Sequence, residues 1–316
     1  MHTSLSAALT TGLKSGIHRA FTSLLWILKI LIPIGFCTFL LVQTGLLPFL
    51  EGAMAFLMEP MGLPPAAAFP LIVGMLTNIY GAIAVMGTLP FDTHTLTLMA
   101  IFLLIAHNLI QEGAVQHASG IHGLVITAIR LVAATLTVMV VSIWLPPQPL
   151  ASPHAAAYEI LPFAEAFYAW GLSTLALCMK ILGILLVLMP CIEISKILGL
   201  AALLARISGP VLLPLGLPRS TALLWLTAVL FGLSYGAAVI VEEARTGTIP
   251  KDDLENLHVS IAINHSMVED PALFLPLGLP ALWLWLPRIL TALIFVRIWQ
   301  LWQHFRPVKT PILPHP

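Results

Sequence analysis

The chain has 316 residues, of which 59% are hydrophobic and only 9% charged, and its mean hydropathy is +0.99. One soluble core cannot bury that much apolar surface, so lipid is the solvent for most of it and an all-α polytopic membrane protein is expected. Net charge is zero, from 14 basic and 14 acidic residues, which excludes a nucleic-acid partner. Cys37, Cys178 and Cys191 are odd in number, scattered and set in apolar sequence, against a disulfide framework or a zinc site.

In chain order, the N-terminal segment lacks a short apolar core with a small-residue cleavage site and reads as mature protein, not a signal peptide. Residues 13 to 46 predict one long helix, with Lys14 and Arg19 at its start and Lys29 inside. The piece that follows, broken by Pro60, Pro64 and Pro65, is too short to span and is placed in the interface plane. From Ala66 to Leu89 the chain is apolar but interrupted at Asn78, Tyr80 and Gly81, the pattern of two half-helices meeting at a re-entrant tip. Residues 94 to 118 predict a spanning helix that carries His107, Asn108, Gln111 and Glu112, and 123 to 145 another with Arg130 inside. The proline-rich stretch 146 to 157 reads as a linker between two halves.

The order then repeats. A long helix from about 163 to 191 carries Lys180, an interfacial piece covers 198 to 217, and an interrupted segment runs from Arg219 to Arg245. A broken helix over 254 to 277 and a last span over 281 to 303 complete the second half. Lys29-Ile30-Leu31 recurs as Lys180-Ile181-Leu182, and Gly62-Leu63-Pro64 as Gly216-Leu217-Pro218. Tyr80-Gly81-Ala82 recurs as Tyr235-Gly236-Ala237, and Arg130 follows His107 at the spacing at which Arg288 follows His265. This is an internal duplication, with a first repeat at 1–145, a linker at 146–160, a second repeat at 161–306 and a tail at 307–316. If the interrupted segments are hairpins that do not cross, Lys14, Arg19, Lys196, Arg206, Arg219, Arg245, Lys251, Arg306 and Lys309 fall on one side. The loops on the other side then hold no Lys or Arg, so the positive-inside rule favours inverted repeats with both termini cytoplasmic in a bacterial inner membrane.

GLSYGAAVIVEEARTG, followed by a His-containing broken helix, resembles the Gate, or nucleoside recognition, domain of concentrative nucleoside transporters, ferrous iron transporter B and spore maturation proteins A and B. Two such domains would cover about 20 to 145 and 170 to 303. The resemblance implies inverted repeats, each with an interfacial helix, a re-entrant hairpin and a discontinuous helix, the tips and breaks forming the substrate site. The hairpin tips here are Asn78-Ile79-Tyr80-Gly81 and Ser234-Tyr235-Gly236, in place of the glutamine-threonine-glutamate type of nucleoside transporters, and the break lacks the cysteine of the iron transporter.

Polar groups inside membrane helices are costly and mark candidate sites. Asn78, Tyr80, Gly81, Asn108, Ser234, Tyr235, Gly236 and Asn264 are the candidates for solute binding. His107 with Gln111, and His265 with Glu269, are spaced i, i+4, which puts each pair on one helical face. With Glu112, Asp270, Glu242 and Glu243 they are candidates for proton or ion coupling. As an alternative, His107, Glu112, His265, Glu269 and Asp270 offer nitrogen and oxygen to a metal ion. Lys29 and Lys180 are expected to pair with intramembrane carboxylates, and Arg130 and Arg288 to serve structure, by pairing or by snorkelling from helix ends. The leading expectation is a secondary transporter of a small polar solute, with proton coupling, no cofactor and no enzymatic activity, since no nucleophile, nucleotide loop or metalloprotease pattern occurs. A divalent-metal permease and a non-transporting membrane scaffold are the alternatives. Lipid is the surrounding partner, and a homo-oligomer is left open.

Overall fold

The computed structural model describes residues 5–46, 54–145, 162–232, 240–241 and 249–306, and these are helical with no strand among them. Ser234, Tyr235, Gly236, Glu242 and Glu243 lie outside the described residues, as does the whole of the linker at 146–160. The first half comprises α1 (Leu5–Gln43), α2 (Met54–Met61), α3 (Ala68–Leu76), α4 (Ile79–Thr88), α5 (Thr93–Ala106), α6 (Leu109–Ala118) and α7 (Gly123–Trp144). The second comprises α8 (Phe163–Ile197), α9 (Leu200–Ile207), α10 (Gly209–Leu212), α11 (Ala222–Phe231), α12 (Lys251–Asn264), α13 (Glu269–Phe274) and α14 (Ala281–Phe305). Among the described residues five stretches are long and apolar enough to cross a membrane: Leu9–Gln43, Thr93–Ala118, Gly123–Trp144, Phe163–Ile197 and Ala281–Phe305. The chain is an all-α polytopic membrane protein.

Matching sequence pieces in the two halves take matching local conformations. Gly62 and Gly216 both sit in the left-handed region, at φ 68° and 66°, where a Cβ would be strained; Gly62 ends a short 3₁₀ helix and Gly216 the turn that follows α10. Pro64 and Pro218 follow with extended backbone and open a 3₁₀ turn that feeds α3 and α11 respectively. In the first half the chain bends by 101° between α2 and the Pro65–Leu76 segment, so the short proline-flanked piece does not continue the next helix. The interruption expected at Asn78 is a helix boundary: Asn78 caps α4, its Oδ1 accepting the Gly81 N–H at 3.0 Å.

The stretch expected as a spanning helix over 94 to 118 breaks at His107 and Asn108, separating α5 from α6. Asn108 is left-handed at φ 49°, and the second half repeats the device at Ser266, φ 50°, between α12 and α13. The amide of Asn108 donates to the Gly74 carbonyl and that of Ser266 to the Ala228 carbonyl, both at 2.9 Å. Each break is thus held against the end of the half-helix before it.

α1 and α8 run antiparallel. Gly12 lies against Ile194 and Gly16 against Pro190, with Gly35 near Trp170, so positions rise along one helix as they fall along the other. Glycine is required at Gly16, where an added Cβ would collide with the Pro190 backbone. This pair is peripheral and α5–α6 central: 28% of the apolar windows of α1 and α8 is buried, against 67% of Thr93–Ala118. α12 is buried along its length, from Leu254 to Asn264.

Candidate functional site

A helix broken at mid-membrane leaves up to four carbonyls without partners at one new end and four amides at the other. Lipid offers neither donors nor acceptors, so side chains must supply them. At the C-terminal end of α5, Arg130 from α7 donates from Nε to the Ile105 carbonyl and from Nη2 to the His107 carbonyl, both at 2.8 Å. At the C-terminal end of α12, Arg288 from α14 donates from Nε to the Ile263 carbonyl at 3.1 Å and from Nη2 to the His265 carbonyl at 2.7 Å. Both guanidiniums are fully buried, at 1% and 0% exposure, so they do not snorkel; they cap broken helices where the dipole end is negative. Snorkelling from helix ends, one of the two arrangements expected for these arginines, is excluded by their burial.

The two histidines sit at the same breaks and use one ring nitrogen in the same way. His107 Nδ1 lies 2.7 Å from the Leu103 carbonyl and His265 Nδ1 3.0 Å from the Ile261 carbonyl. A carbonyl only accepts, so Nδ1 carries a proton and each ring turns its Nε2 into the cluster. Both Nε2 atoms point at the same carboxylate oxygen: Glu112 Oε1 is 3.3 Å from His107 Nε2 and 3.3 Å from His265 Nε2. The rings are 5.1 Å apart between centroids. Glu112, in the first turn of α6 where the helix dipole favours an acid, is held by its other oxygen, Oε2, at 2.6 Å from Arg130 Nη1.

Asp270 is the second-half counterpart of Glu112, five positions after its histidine, and it opens α13 as Glu112 opens α6. Its Oδ2 lies 3.5 Å from His107 Nε2, and no described group is hydrogen-bonded to it. Its side chain is one methylene shorter, and the ion pair Glu112 makes with Arg130 has no equivalent between Asp270 and Arg288 among the described residues. Repeat symmetry is therefore broken at this pair.

Above the cluster lies a cavity of about 390 Å³, within the range of small-molecule sites. Its lining brings together Asn78, Tyr80, His107, Asn108, Gln111, Glu112, His265, Glu269 and Asp270, which are dispersed over both halves of the sequence. Tyr80 donates to Glu269 Oε1 at 3.4 Å, a contact across the halves. Gly81 packs in the first turn of α4, and Asn264 is buried in the last turn of α12.

Several pairings expected from spacing are replaced by others. The i, i+4 relation of His265 to Glu269, and of His107 to Gln111, presumed continuous helix, whereas each break turns the chain between the two members. His265 meets Glu112 from the other half, and Gln111 Oε1 accepts instead from Asn108 at 3.3 Å. Lys29 is exposed on α1, and Lys180 donates to the Pro276 carbonyl at 3.3 Å; neither pairs with a carboxylate among the described residues. Sequence reasoning missed Arg19, Ser23 and Trp26 of α1, which line the cavity, and the ion pair of Arg19 with Glu193 at 2.5 Å that ties α1 to α8 beside it. Only Arg19 carried a signal, as an arginine near the membrane end of a long apolar helix.

The sequence profile described as Gate, nucleoside recognition, matches residues 24–144. A Bacillus subtilis (strain 168) protein described as "Uncharacterized membrane protein YvoD" is 30% identical over 305 residues, spanning 94% of this chain and 95% of its own. No solved structure matches significantly. The profile covers the half that contains the first tip, the first break and Arg130, and the relative extends the likeness through the second, so the chain belongs to the nucleoside recognition (Gate) domain family of membrane proteins.

Proposed function

We propose that the protein is a secondary transporter in which a small polar solute occupies the cavity between the two broken helices and a cation entering the His107–Glu112–His265 cluster is coupled to its passage. One observation carries this reading: imidazole nitrogens from two separate halves converge on a single carboxylate oxygen, at 3.3 Å each, in the lining of a solute-sized cavity. With both rings neutral and protonated at Nδ1, three acceptors would face one another and repel unless a proton or another cation lay between them. Such a site, built where the two halves meet, gains or loses its cation when the halves move, and that links ion occupancy to access. The antiparallel packing of α1 on α8 supports halves of opposite orientation in the membrane, with both termini cytoplasmic in an inner membrane.

The test is a thermal-shift screen of the purified full chain against nucleosides, nucleobases, amino acids and organic acids, followed by uptake of any hit into proteoliposomes. A solute at 100 times its dissociation constant should stabilise the protein by about 2.7 kcal/mol. Replacing the cavity groups that do not hold the fold, as in Gln111→Leu, should weaken that response. A chain that binds and moves none of these solutes would favour the scaffold reading instead.

A further inference from the structure

The distances inside the cluster fit a metal ion as well as a shared proton. The two contacts to Glu112 Oε1 are 3.3 Å, at the long end of hydrogen bonding, and that from His107 Nε2 to Asp270 Oδ2 is 3.5 Å. Four ligands held about 2.0–2.2 Å from a tetrahedral ion lie roughly 3.3–3.6 Å from one another. The ligand atoms of His107, Glu112 and His265 all lie within 4.8 Å of one another, and all three residues are buried.

The surroundings are those of a metal site. Each histidine donates its other ring nitrogen to a backbone carbonyl, which fixes the tautomer and aims the lone pair. Arg130 holds one oxygen of Glu112 and turns the other inward. His265 Nε2 and Asp270 Oδ2, in residues 1% and 7% exposed, have no aligned hydrogen bond with any described group. Glu112 and Asp270 bring two negative charges to the cluster, and Arg130 balances the first through its ion pair with Glu112.

We propose that His107 Nε2, His265 Nε2 and Glu112 Oε1 form a three-ligand site for a divalent transition-metal ion, with a histidine from each half, Glu112 from the first, and the fourth position open to the cavity. The two-nitrogen, one-oxygen donor set suits zinc or cobalt(II) over magnesium or calcium. This rests on the reading of the cluster as the transporter's cation site and names the cation. The ion would bridge the halves in the state the structure shows.

The test uses the full-length protein in detergent, stripped with a chelator and titrated with cobalt(II). Expected is the intense visible absorption of a tetrahedral cobalt ion, saturating at one equivalent and bleached by zinc. His265→Gln and His107→Gln, which keep side-chain volume, should weaken binding at least 100-fold, and His304→Ala, at the exposed end of α14, should leave it unchanged. Circular dichroism and gel filtration check that each variant is folded; should both glutamine variants misfold, His265→Ala takes their place. The proposal is overturned if folded wild type gives only the weak spectrum of hydrated cobalt, or if the histidine variants bind as tightly as wild type. The solute screen run both in chelator and with cobalt(II) added separates the two ideas. Solute stabilisation without a cobalt signal removes the metal and keeps the transporter, whereas a cobalt signal with no solute response or uptake does the reverse.

Discussion

Arg130→Met and Arg288→Met remove the same guanidinium from equivalent places, and the structure predicts that they are not equally harmful. Each deletion strands two helix-end carbonyls that accepted from a charged donor, bonds worth about 1.5–3 kcal/mol apiece and not additive. Arg130→Met also leaves Glu112, 7% exposed, without its cation, and breaking a buried pair from one side costs about 3–5 kcal/mol. Arg288 has no carboxylate in ion-pair contact among the described residues, so its loss lacks that second penalty. We expect destabilisation of about 5 kcal/mol for Arg130→Met and about 3 kcal/mol for Arg288→Met. The assay is unfolding in mixed micelles by SDS titration, followed by tryptophan emission. Adding Glu112→Gln to Arg130→Met removes the stranded charge and should restore about 1–2 kcal/mol, whereas Glu112→Gln alone should destabilise. Equal losses for the two arginines, or a double variant no more stable than Arg130→Met, would refute the argument.

Two further predictions concern the frame around the site. Gly16→Leu should push α1 off Pro190 of α8 and cost at least about 2 kcal/mol in the same unfolding assay, while Gly183→Ala, whose Cβ meets nothing within 4 Å, should stay within about 0.5 kcal/mol of wild type. Single cysteines at Ser152 and Thr310 should react with an impermeant thiol reagent from opposite faces of the membrane, and labelling from the same face would remove the inverted arrangement.

Much of the frame was legible because it is written in covalent punctuation. Gly62-Leu63-Pro64 and Gly216-Leu217-Pro218 specify the same turn twice, and Asn78 announces a helix start by what its side chain can accept. The candidate cluster was legible as a set of residues and not as a set of partners. His107, Glu112, His265 and Asp270 stand out in apolar sequence by desolvation cost alone, but helical spacing pairs neighbours along one helix, and a left-handed residue at Asn108 or Ser266 cancels that geometry. No periodicity encodes the meeting of His265 with Glu112, since it depends on how two halves dock. The lysines failed for the opposite reason: a charge in an apolar run implies a partner only if the side chain faces inward, and the outward direction of Lys29 follows from the packing of α1 on α8.

α12 is buried along its length yet is not among the stretches apolar enough to cross a membrane unaided. It begins with Lys251, Asp252, Asp253 and Glu255, and its first turn is gripped from outside by Arg306, past the end of α14, which reaches both Asp252 and Glu255. During synthesis this segment therefore leaves the ribosome before the arginines that complete it, Arg288 at its membrane end and Arg306 at its polar end. Its hydropathy gives the insertion machinery too weak a signal for it to partition alone. Integration of the second half is then a joint event, with α12 held in a protein-lined environment until α14 has been made. Ribosome-stalled chains ending before 281 should leave α12 accessible to water, so a lesion in the last helix would be felt first as a failure of biogenesis in a helix some thirty residues upstream.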